Sequence, residues 1–346
     1  MNATPIAVLA ALGLSLGTAA LAQDADRVAA FYKGKTVSFY IGSDVGGGYN
    51  AYARTVGRHM AKYVPGNPTF IYLNMPGAGG RKATAYVASV AAKDGSALGA
   101  VQPGALVEAV LGDPKNARYD PLTFGYVGSA ESSDSLCVAR KGAPVQKFAD
   151  AFQRELVLGS DSKGSTMSDQ PNLMKNALGL KFRIVSGYKG SHAVIMAMER
   201  GEVDGICGYG WSPLMSQAAH LVRENKVNLL VQFALKGYPE PTEMGVPMIW
   251  QFVKTDEQRQ MLELVAAPLV FGRPVIVPAG VPPERLNALR RAFDRTMTDA
   301  GYVADAKKQK LGITPATGEE VEAMVKRIFA VPREIAARTR AAMYNE

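Results

Sequence analysis

The segment from Val37 to Ala53 constrains this chain more than any other. A β-rich stretch, Val37 to Ile41, runs into Gly46-Gly47-Gly48, and a helical pattern opens at Tyr49-Asn50-Ala51-Tyr52. Strand, glycine loop and helix start in that order aim backbone N–H groups and the positive end of a helix dipole at one point, an arrangement suited to an anion. Three successive glycines are costly unless the backbone must approach something closely. The alternative is a tight turn that holds nothing.

The rhythm repeats along the chain. Thr69 to Leu73 reads as a second strand, followed by the glycine loop Pro76-Gly77-Ala78-Gly79-Gly80 and a helix from about Arg81 to Ala91. Ala97 to Val101 is a third strand. Further strands are expected at Phe124 to Gly128, Leu136 to Ala139, Leu156 to Gly159, Phe182 to Val185, Val203 to Cys207 and Val227 to Ala234, with helices at Val145 to Arg154, Ser168 to Leu178 and up to Arg200. Strands alternating with helices predict α/β architecture with largely parallel sheets. The second βα series needs its own sheet, so two α/β lobes are expected. After about Pro239 the texture becomes Pro-rich, then helical near Asp256 to Ala267, with a strand at Val275 to Val277. Amphipathic helices then fill Pro283 to Tyr344, apart from a break at Gly312 to Pro315.

Composition narrows the partners. Lys and Arg outnumber Asp and Glu by 39 to 31 in 346 residues, a formal charge of +8 that favours an anionic ligand or acidic surface. The basic residues are scattered without a block or a basic helix face, which argues against nucleic-acid binding. The first 22 residues carry no charged side chain, and Ile6 to Leu21 is an apolar run ending in Ala20-Leu21-Ala22. That pattern predicts a signal peptide over residues 1–22, cleaved after Ala22, although its start lacks Lys or Arg; the alternative is a membrane anchor, for which the run is short. Cys137 and Cys207 both lie in β-like contexts. They can pair as one disulfide in an oxidising compartment, or stand as two small buried residues in separate strands.

Motif tests remove several activities. Gly42 and Gly47 have the spacing of a nucleotide phosphate loop, but Gly48-Tyr49 stand where Lys and Ser or Thr are needed. Gly46, Gly48 and Ala51 fit a dinucleotide fingerprint, yet the second strand ends in Asn74-Met75-Pro76 with no acid for a ribose. His59, His192 and His220 lack metal-ligand spacing, and no G-x-S-x-G elbow occurs. Asp44, Asp161 and Asp204 lie near loop mouths without a pairing that defines an acid and a base. Strand ends rich in Gly, Ser and Thr offer donors and few ionisable groups, an inventory for binding an anion rather than moving protons. No cofactor or metal is expected.

Ordered motifs carry a family resemblance. They are Gly46-Gly47-Gly48-Tyr49-Asn50 with Ala53-Arg54; Asn74-Met75-Pro76-Gly77-Ala78-Gly79-Gly80; Lys93-Asp94-Gly95; and Tyr119-Asp120-Pro121. Gly159-Ser160 to Gly164-Ser165, Tyr188-Lys189-Gly190-Ser191, Gly201-Glu202-Val203-Asp204 and Val277-Pro278-Ala279-Gly280-Val281-Pro282 follow. In this order and spacing, from about Lys35 to the C-terminus, the chain resembles the periplasmic solute receptors of the tripartite tricarboxylate transporter family, the Bug-type receptors.

The resemblance implies a two-lobed, Venus-flytrap periplasmic binding protein, type II-like, each lobe a mixed, mainly parallel sheet flanked by helices. Lobe 1 is expected over residues 23–133 and 246–346, and lobe 2 over 134–245. It implies capture of a small organic carboxylate in an interlobe cleft, without catalysis, and delivery to a two-subunit membrane permease by a receptor expected as a monomer. Gly46, Gly47, Gly48, Tyr49, Asn50, Gly77, Ala78, Gly79 and Gly80 would form a carboxylate clamp. Ser160, Ser162, Gly164, Ser165 and Thr166 would close from the second lobe, with Lys189, Tyr209 and Trp211 near the variable end. The sequence departs from the family at Ser43-Asp44-Val45, where a Pro is usual, at Asn50, where Asp is usual, at Asp161 and Lys163, and at Arg81-Lys82. A receptor feeding a sensor kinase, or a secreted α/β enzyme, are the alternatives.

Overall fold

Apolar strand positions pack into a core, on one face at Thr36–Ile41 and on both faces at Ala97–Ala100 and Pro274–Val277, and the topology follows from where those faces meet. The structure, a computed structural model, describes residues 25–43, 45, 48–112, 118–161 and 165–344. Its residues form two compact units: one drawn from Met1–Leu106, Arg118–Ala130 and Arg273–Glu322, the other from Val107–Ala117, Glu131–Gly272 and Ala323–Glu346.

The first unit holds β1 (Thr36–Ile41), β2 (Thr69–Asn74), β3 (Ala97–Ala100) and β4 (Gly125–Ser129). In the second unit follow β5 (Leu136–Arg140), β6 (Leu156–Gly159), β7 (Phe182–Val185), β8 (Gly205–Tyr209) and β9 (Val227–Gln232); β10 (Pro274–Val277) and β11 (Ala316–Thr317) return to the first. The six-stranded sheet has the order β11-β4-β10-β3-β1-β2. There β1 pairs in parallel with β2 and β3, while β10 runs antiparallel to β3 and β4. The five-stranded sheet has the order β7-β6-β8-β5-β9, with β6 parallel to β7 and β8 and only β5 reversed. Both sheets are therefore mixed, with most strands running one way.

Strand β1 shows why the first sheet forms. Val37, Phe39 and Ile41 are buried on one face, where helix Gly48–Met60 lays Tyr52, Val56 and Met60 over them. On the other face Tyr40 stacks on Tyr86 of helix Arg81–Ser89, ring centroids 4.8 Å apart. The far end of helix Gly48–Met60 is pinned by polar contacts: His59 Nε2 and Asp305 Oδ2 lie 3.0 Å apart, and Lys62 Nζ and Tyr63 OH both donate to Asp299 Oδ2.

In the second unit Cys137 of β5 and Cys207 of β8 are joined by a disulfide across adjacent antiparallel strands. The bonded pair sits in a cluster with Leu158, Leu173 and Phe182. That cluster also takes Ile249, Met261 and Leu262, and from the last helix Ala342 and Met343. Residues 246–272 and 323–346, expected from the sequence in the first lobe, thus pack in the second unit. Their amphipathic faces show that they cover a sheet but not which one. The contacts that decide it are long-range: Asn176 Nδ2 donates to the Ala342 carbonyl at 2.7 Å, and Gln258 Nε2 to the Ala177 carbonyl at 2.9 Å.

Some local readings diverge. Val145 to Arg154 is a short 3₁₀ turn, Phe148–Phe152, rather than a regular helix. Pro103–Leu111 and Trp211–Gln217, not anticipated, are helices. The first is apolar apart from Glu108, and the second begins within what reads as a Gly-Tyr-Gly-Trp-Ser turn. No helix of the described residues is long and apolar enough to cross a membrane.

Candidate functional site

In each unit the expected binding residues collect at the carboxyl end of the sheet. Ile41 of β1 stands in register with Asn74 of β2 and Ala100 of β3, and Pro274 opposite Ser129, so the segments beyond these residues share one edge. Gly48, Tyr49, Asn50 and Gly77 to Gly80 all lie there. Gly46 and Gly47 fall outside the described residues.

The two glycine-rich segments of the first unit touch. A Cβ on Gly42 would stand 3.2 Å from Gly80 Cα, and a Cβ on Gly80 would stand 3.1 Å from the Gln102 side chain. Gly80 also has φ +83°, the left-handed region. Ala78 adopts φ +49°, a left-handed conformation uncommon for a residue with a side chain. Gln102, which the sequence did not single out, ties the strand ends together by donating from Nε2 to the Gly42 carbonyl at 3.2 Å.

Helix Gly48–Met60 begins here with no acid in its first turn. Helix Arg81–Ser89 also starts without an acid or a side-chain cap, on Gly80, and its first residues are Arg81 and Lys82. Cations at the positive end of a helix dipole are locally unfavourable. They become favourable when an anion sits at that end.

Beneath this edge Asn50, 7% exposed, anchors a small amide network. Arg54 Nε donates to Asn50 Oδ1 at 3.0 Å, and Arg54 Nη2 donates to Asn74 Oδ1 at 3.2 Å. Asn74 Nδ2 donates both to Asn50 Oδ1, at 3.0 Å, and to the Ser43 carbonyl, at 2.8 Å. Arg54 also lies over the Tyr72 ring, 5.1 Å from its centroid. On the other side of the helix start, the Arg273 guanidinium stacks over the rings of Tyr49 and Tyr52, at 4.6 and 4.9 Å. Arg54, Asn74 and Arg273 are functional candidates the sequence did not rank; Asn74 and Arg273 lie on other elements that only the folded sheet brings alongside the glycine loop. Arg54 had a faint signal, standing one helical turn after Asn50.

The second unit repeats the layout with different chemistry. Ser160 follows β6, Lys189 follows β7, Trp211 follows β8, and Asp134 precedes β5 at the same edge. Tyr188 N–H donates to the Ser160 carbonyl at 3.1 Å and Gly187 N–H to the Asp161 carbonyl at 2.8 Å, closing the two loops together. Ser165 Oγ donates to Asp161 and caps helix Thr166–Leu178 by accepting from Ser168 N–H. Thr166 Oγ1 donates to the Gly208 carbonyl at 2.9 Å. Those two hydroxyls are committed to the fold. Ser160 Oγ is fully buried with no hydrogen-bond partner among the described residues, an unusual condition for a polar group.

Lys189 is exposed at the start of helix Gly190–Glu199, which has neither a side-chain cap nor an acid in its first turn. Tyr209 and Trp211 are 4% and 8% exposed and pack with Val194 and Leu214. The Tyr209 hydroxyl donates to Gln217 Oε1, and burial pushes its pKa up to about 12. Trp211 N–H donates to Asp134 Oδ2 at 2.7 Å, while burial raises the Asp134 carboxyl to about 6. Ser162 and Gly164 lie outside the described residues. Among the described residues, no group of three or more His, Cys, Asp or Glu is placed to hold a metal ion.

No family model matches the chain, and no curated protein does. Solved structures do. A TctC solute-binding protein from Polaromonas aligns over 91% of this chain and 100% of its own, with 17% identity and a TM-score of 0.72. An adipate-bound protein from R. palustris aligns over 89% and 97%, at 20% identity and a TM-score of 0.60. MatC from Rhodopseudomonas palustris, with bound malate, aligns over 89% and 99%, at 21% identity and a TM-score of 0.55. Likeness of this extent at such low identity establishes the architecture: the chain has the α/β fold of these solute-binding proteins.

Proposed function

We propose that this protein is an exported, non-catalytic receptor of the tripartite tricarboxylate transporter type that captures a small organic carboxylate. The observation that carries this reading is the state of its helix starts. Three helices beginning at the carboxyl edges of the sheets, at Gly48, Arg81 and Gly190, have no acid in the first turn, and the second opens with Arg81 and Lys82. Such ends carry partial positive charge, although the first N–H groups of Arg81 and Gly190 already bond to the Ala78 and Tyr188 carbonyls. A carboxylate answers that charge.

Other features support the proposal. Asn50 and Ser160 supply buried polar groups at the two edges, and proteins of the same fold have been solved with adipate and malate bound. The Cys137–Cys207 disulfide suits an oxidising compartment, which agrees with cleavage of a signal peptide after Ala22 and a periplasmic location. By the family resemblance, the ligand stabilises a closed form through its higher affinity for that form, and a two-subunit permease reads it. By the same resemblance, Gly46 to Asn50 and Gly77 to Gly80 would hold a carboxylate, and Ser160, Ser162, Gly164, Ser165, Thr166, Lys189, Tyr209 and Trp211 are the further ligand-binding candidates.

A thermal-shift screen against mono-, di- and tricarboxylates and aromatic acids tests the reading. A binding acid raises the unfolding midpoint by mass action, by about 2.7 kcal/mol of stability at a hundred times its Kd. Silence across the whole panel overturns it.

A further inference from the structure

Among the described residues the two sheets end in strands β11, β2, β7 and β9, and these edges are finished differently. Strand β11 is two residues long. Strand β7 carries the exposed Arg183, and β9 is met at its end by a bridge from Gln232 to Met248. Brevity, charge and cover are the usual guards against an edge pairing with another chain. Strand β2 has none of them among the described residues. Its six residues, Thr69–Asn74, pair with β1 in unbroken register and include no charge and no proline. Thr69 N–H donates to the Lys35 carbonyl and Met75 N–H to the Ile41 carbonyl. Main-chain groups alternate in direction along a strand, so Phe70 and Tyr72 point their N–H and C=O groups outward.

The two faces beside this edge differ in chemistry. On one, a groove of about 330 Å³ lies between β2 and helix Gly48–Met60, lined by Arg54, Arg58, Phe70 and Tyr72 among others. Arg54 and Arg58 stand one helical turn apart, about 6 Å of rise, close to the roughly 6.6 Å between alternate residues of a strand. Asp305 holds Arg58, while the hydrogen bonds of Arg54 go to the neutral amides of Asn50 and Asn74. On the opposite face Ile71 and Leu73 are 40% and 39% exposed.

We propose that β2 is a docking edge for an extended segment of a partner protein that alternates acidic and apolar residues. Added beside β2, such a segment bonds to the outward groups of Phe70 and Tyr72, and its side chains fall alternately on the two faces. The acidic ones meet Arg54 and Arg58, and the apolar ones lie beside Ile71 and Leu73. Charge decides against a second copy of this chain. Two β2 edges paired antiparallel about a two-fold axis share one face of the joined sheet, which sets Arg54 and Arg58 against their counterparts. This docking edge is independent of which solute the protein binds.

The test uses two capped heptapeptides, one alternating Glu and Val and one alternating Lys and Val, with the wild type, Arg58→Gln and Ile71→Ser. Binding is followed by NMR titration and amide hydrogen exchange. The wild type is expected to bind the Glu peptide with a Kd on the order of 1 mM or tighter, at least about fivefold more tightly than the Lys peptide. Exchange at the Phe70 and Tyr72 amides should slow about tenfold in the complex. Arg58→Gln should narrow the ratio between the peptides, whereas a merely structural role would lower Tm and leave the ratio alone. Ile71→Ser should weaken both peptides and keep the ratio. Absence of binding, equal binding of the two peptides, or binding that leaves exchange at Phe70 and Tyr72 unchanged overturns the inference. So does an Arg58→Gln protein that folds and keeps the wild-type ratio. Protection of those amides that grows with protein concentration when no peptide is present would assign the edge to a second copy and overturn it too. All of these results leave the carboxylate-receptor reading intact, since none involves the solute.

Discussion

Two sets of helix starts in this molecule are built to opposite rules. Helix Asp256–Ala266 is fully capped: Thr255 Oγ1 accepts from Gln258 N–H, the Gln258 side chain accepts from Thr255 N–H, and Asp256 and Glu257 occupy the first turn. Helix Ala300–Lys308 starts on Asp299, whose Oδ1 accepts from Tyr302 N–H at 2.9 Å. At the sheet edges, helices Arg81–Ser89 and Gly190–Glu199 have no side-chain cap, and helix Gly48–Met60 has no acid in its first turn. The chain therefore has the means to finish a helix end. It does not use them at these three sheet-edge starts, although helix Thr166–Leu178, at the edge of the second sheet, is capped by Ser165.

The strongest way to break this contrast is to fill the space the glycines leave. Gly80→Val forces a β-branched residue to φ +83° and drives its Cβ toward Gln102. Strain at such a position costs about 1–3 kcal/mol, and the contact with Gln102 is relieved only if the loop or the Gln102 side chain shifts. The variant is expected to unfold cooperatively at a lower temperature and to lose measurable affinity for any acid that binds the wild type. Wild-type affinity would place the ligand elsewhere.

Removing the disulfide sharpens the contrast from the other side, because it lowers stability without touching a helix start. The double variant Cys137→Ala, Cys207→Ala should lose about 2–5 kcal/mol, a fall in Tm on the order of 10 °C. Affinity below the new midpoint should be unchanged. A matching loss of affinity at low temperature would mean that the β5–β8 pair also shapes the edge carrying Asp134 and Trp211.

The glycine loops and most of the strands were legible in the sequence because their signals are local. Val37, Phe39 and Ile41 alternate with less apolar neighbours, and glycine clusters mark the turns that follow. The placement of residues 246–272 and 323–346 was not legible. Met261, Leu262, Ala342 and Met343 are apolar at helical spacing, which any sheet face would satisfy, and the choice rests on contacts such as Asn176 with Ala342 across a sequence separation of 166. The candidate site divides in the same way. Gly77 to Gly80 and Asn50 could be singled out from motif order, whereas the amide network needs Asn74, at the end of a neighbouring strand, in register with Ile41. Ser165 and Thr166 show the converse: hydroxyl residues in a promising loop whose side chains are committed to Asp161 and Gly208.

The finest test sets one substitution in each class of helix start against the other. Thr255→Ala removes a cap and should cost about 0.5–2 kcal/mol in urea unfolding, with no change in carboxylate affinity. His192→Glu acts in reverse. His192 is exposed, in the first turn of helix Gly190–Glu199, which carries no acid there. A carboxylate at that position should stabilise the helix by about 0.3–1 kcal/mol through the dipole, yet repel an anionic ligand and weaken its binding a few-fold at low salt, less as salt is raised. A variant more stable than wild type and poorer at binding is the signature of a helix end left open for function. If His192→Glu gains stability and keeps full affinity at low ionic strength, the Gly190 start stands apart from the ligand, and its missing acid has no bearing on binding.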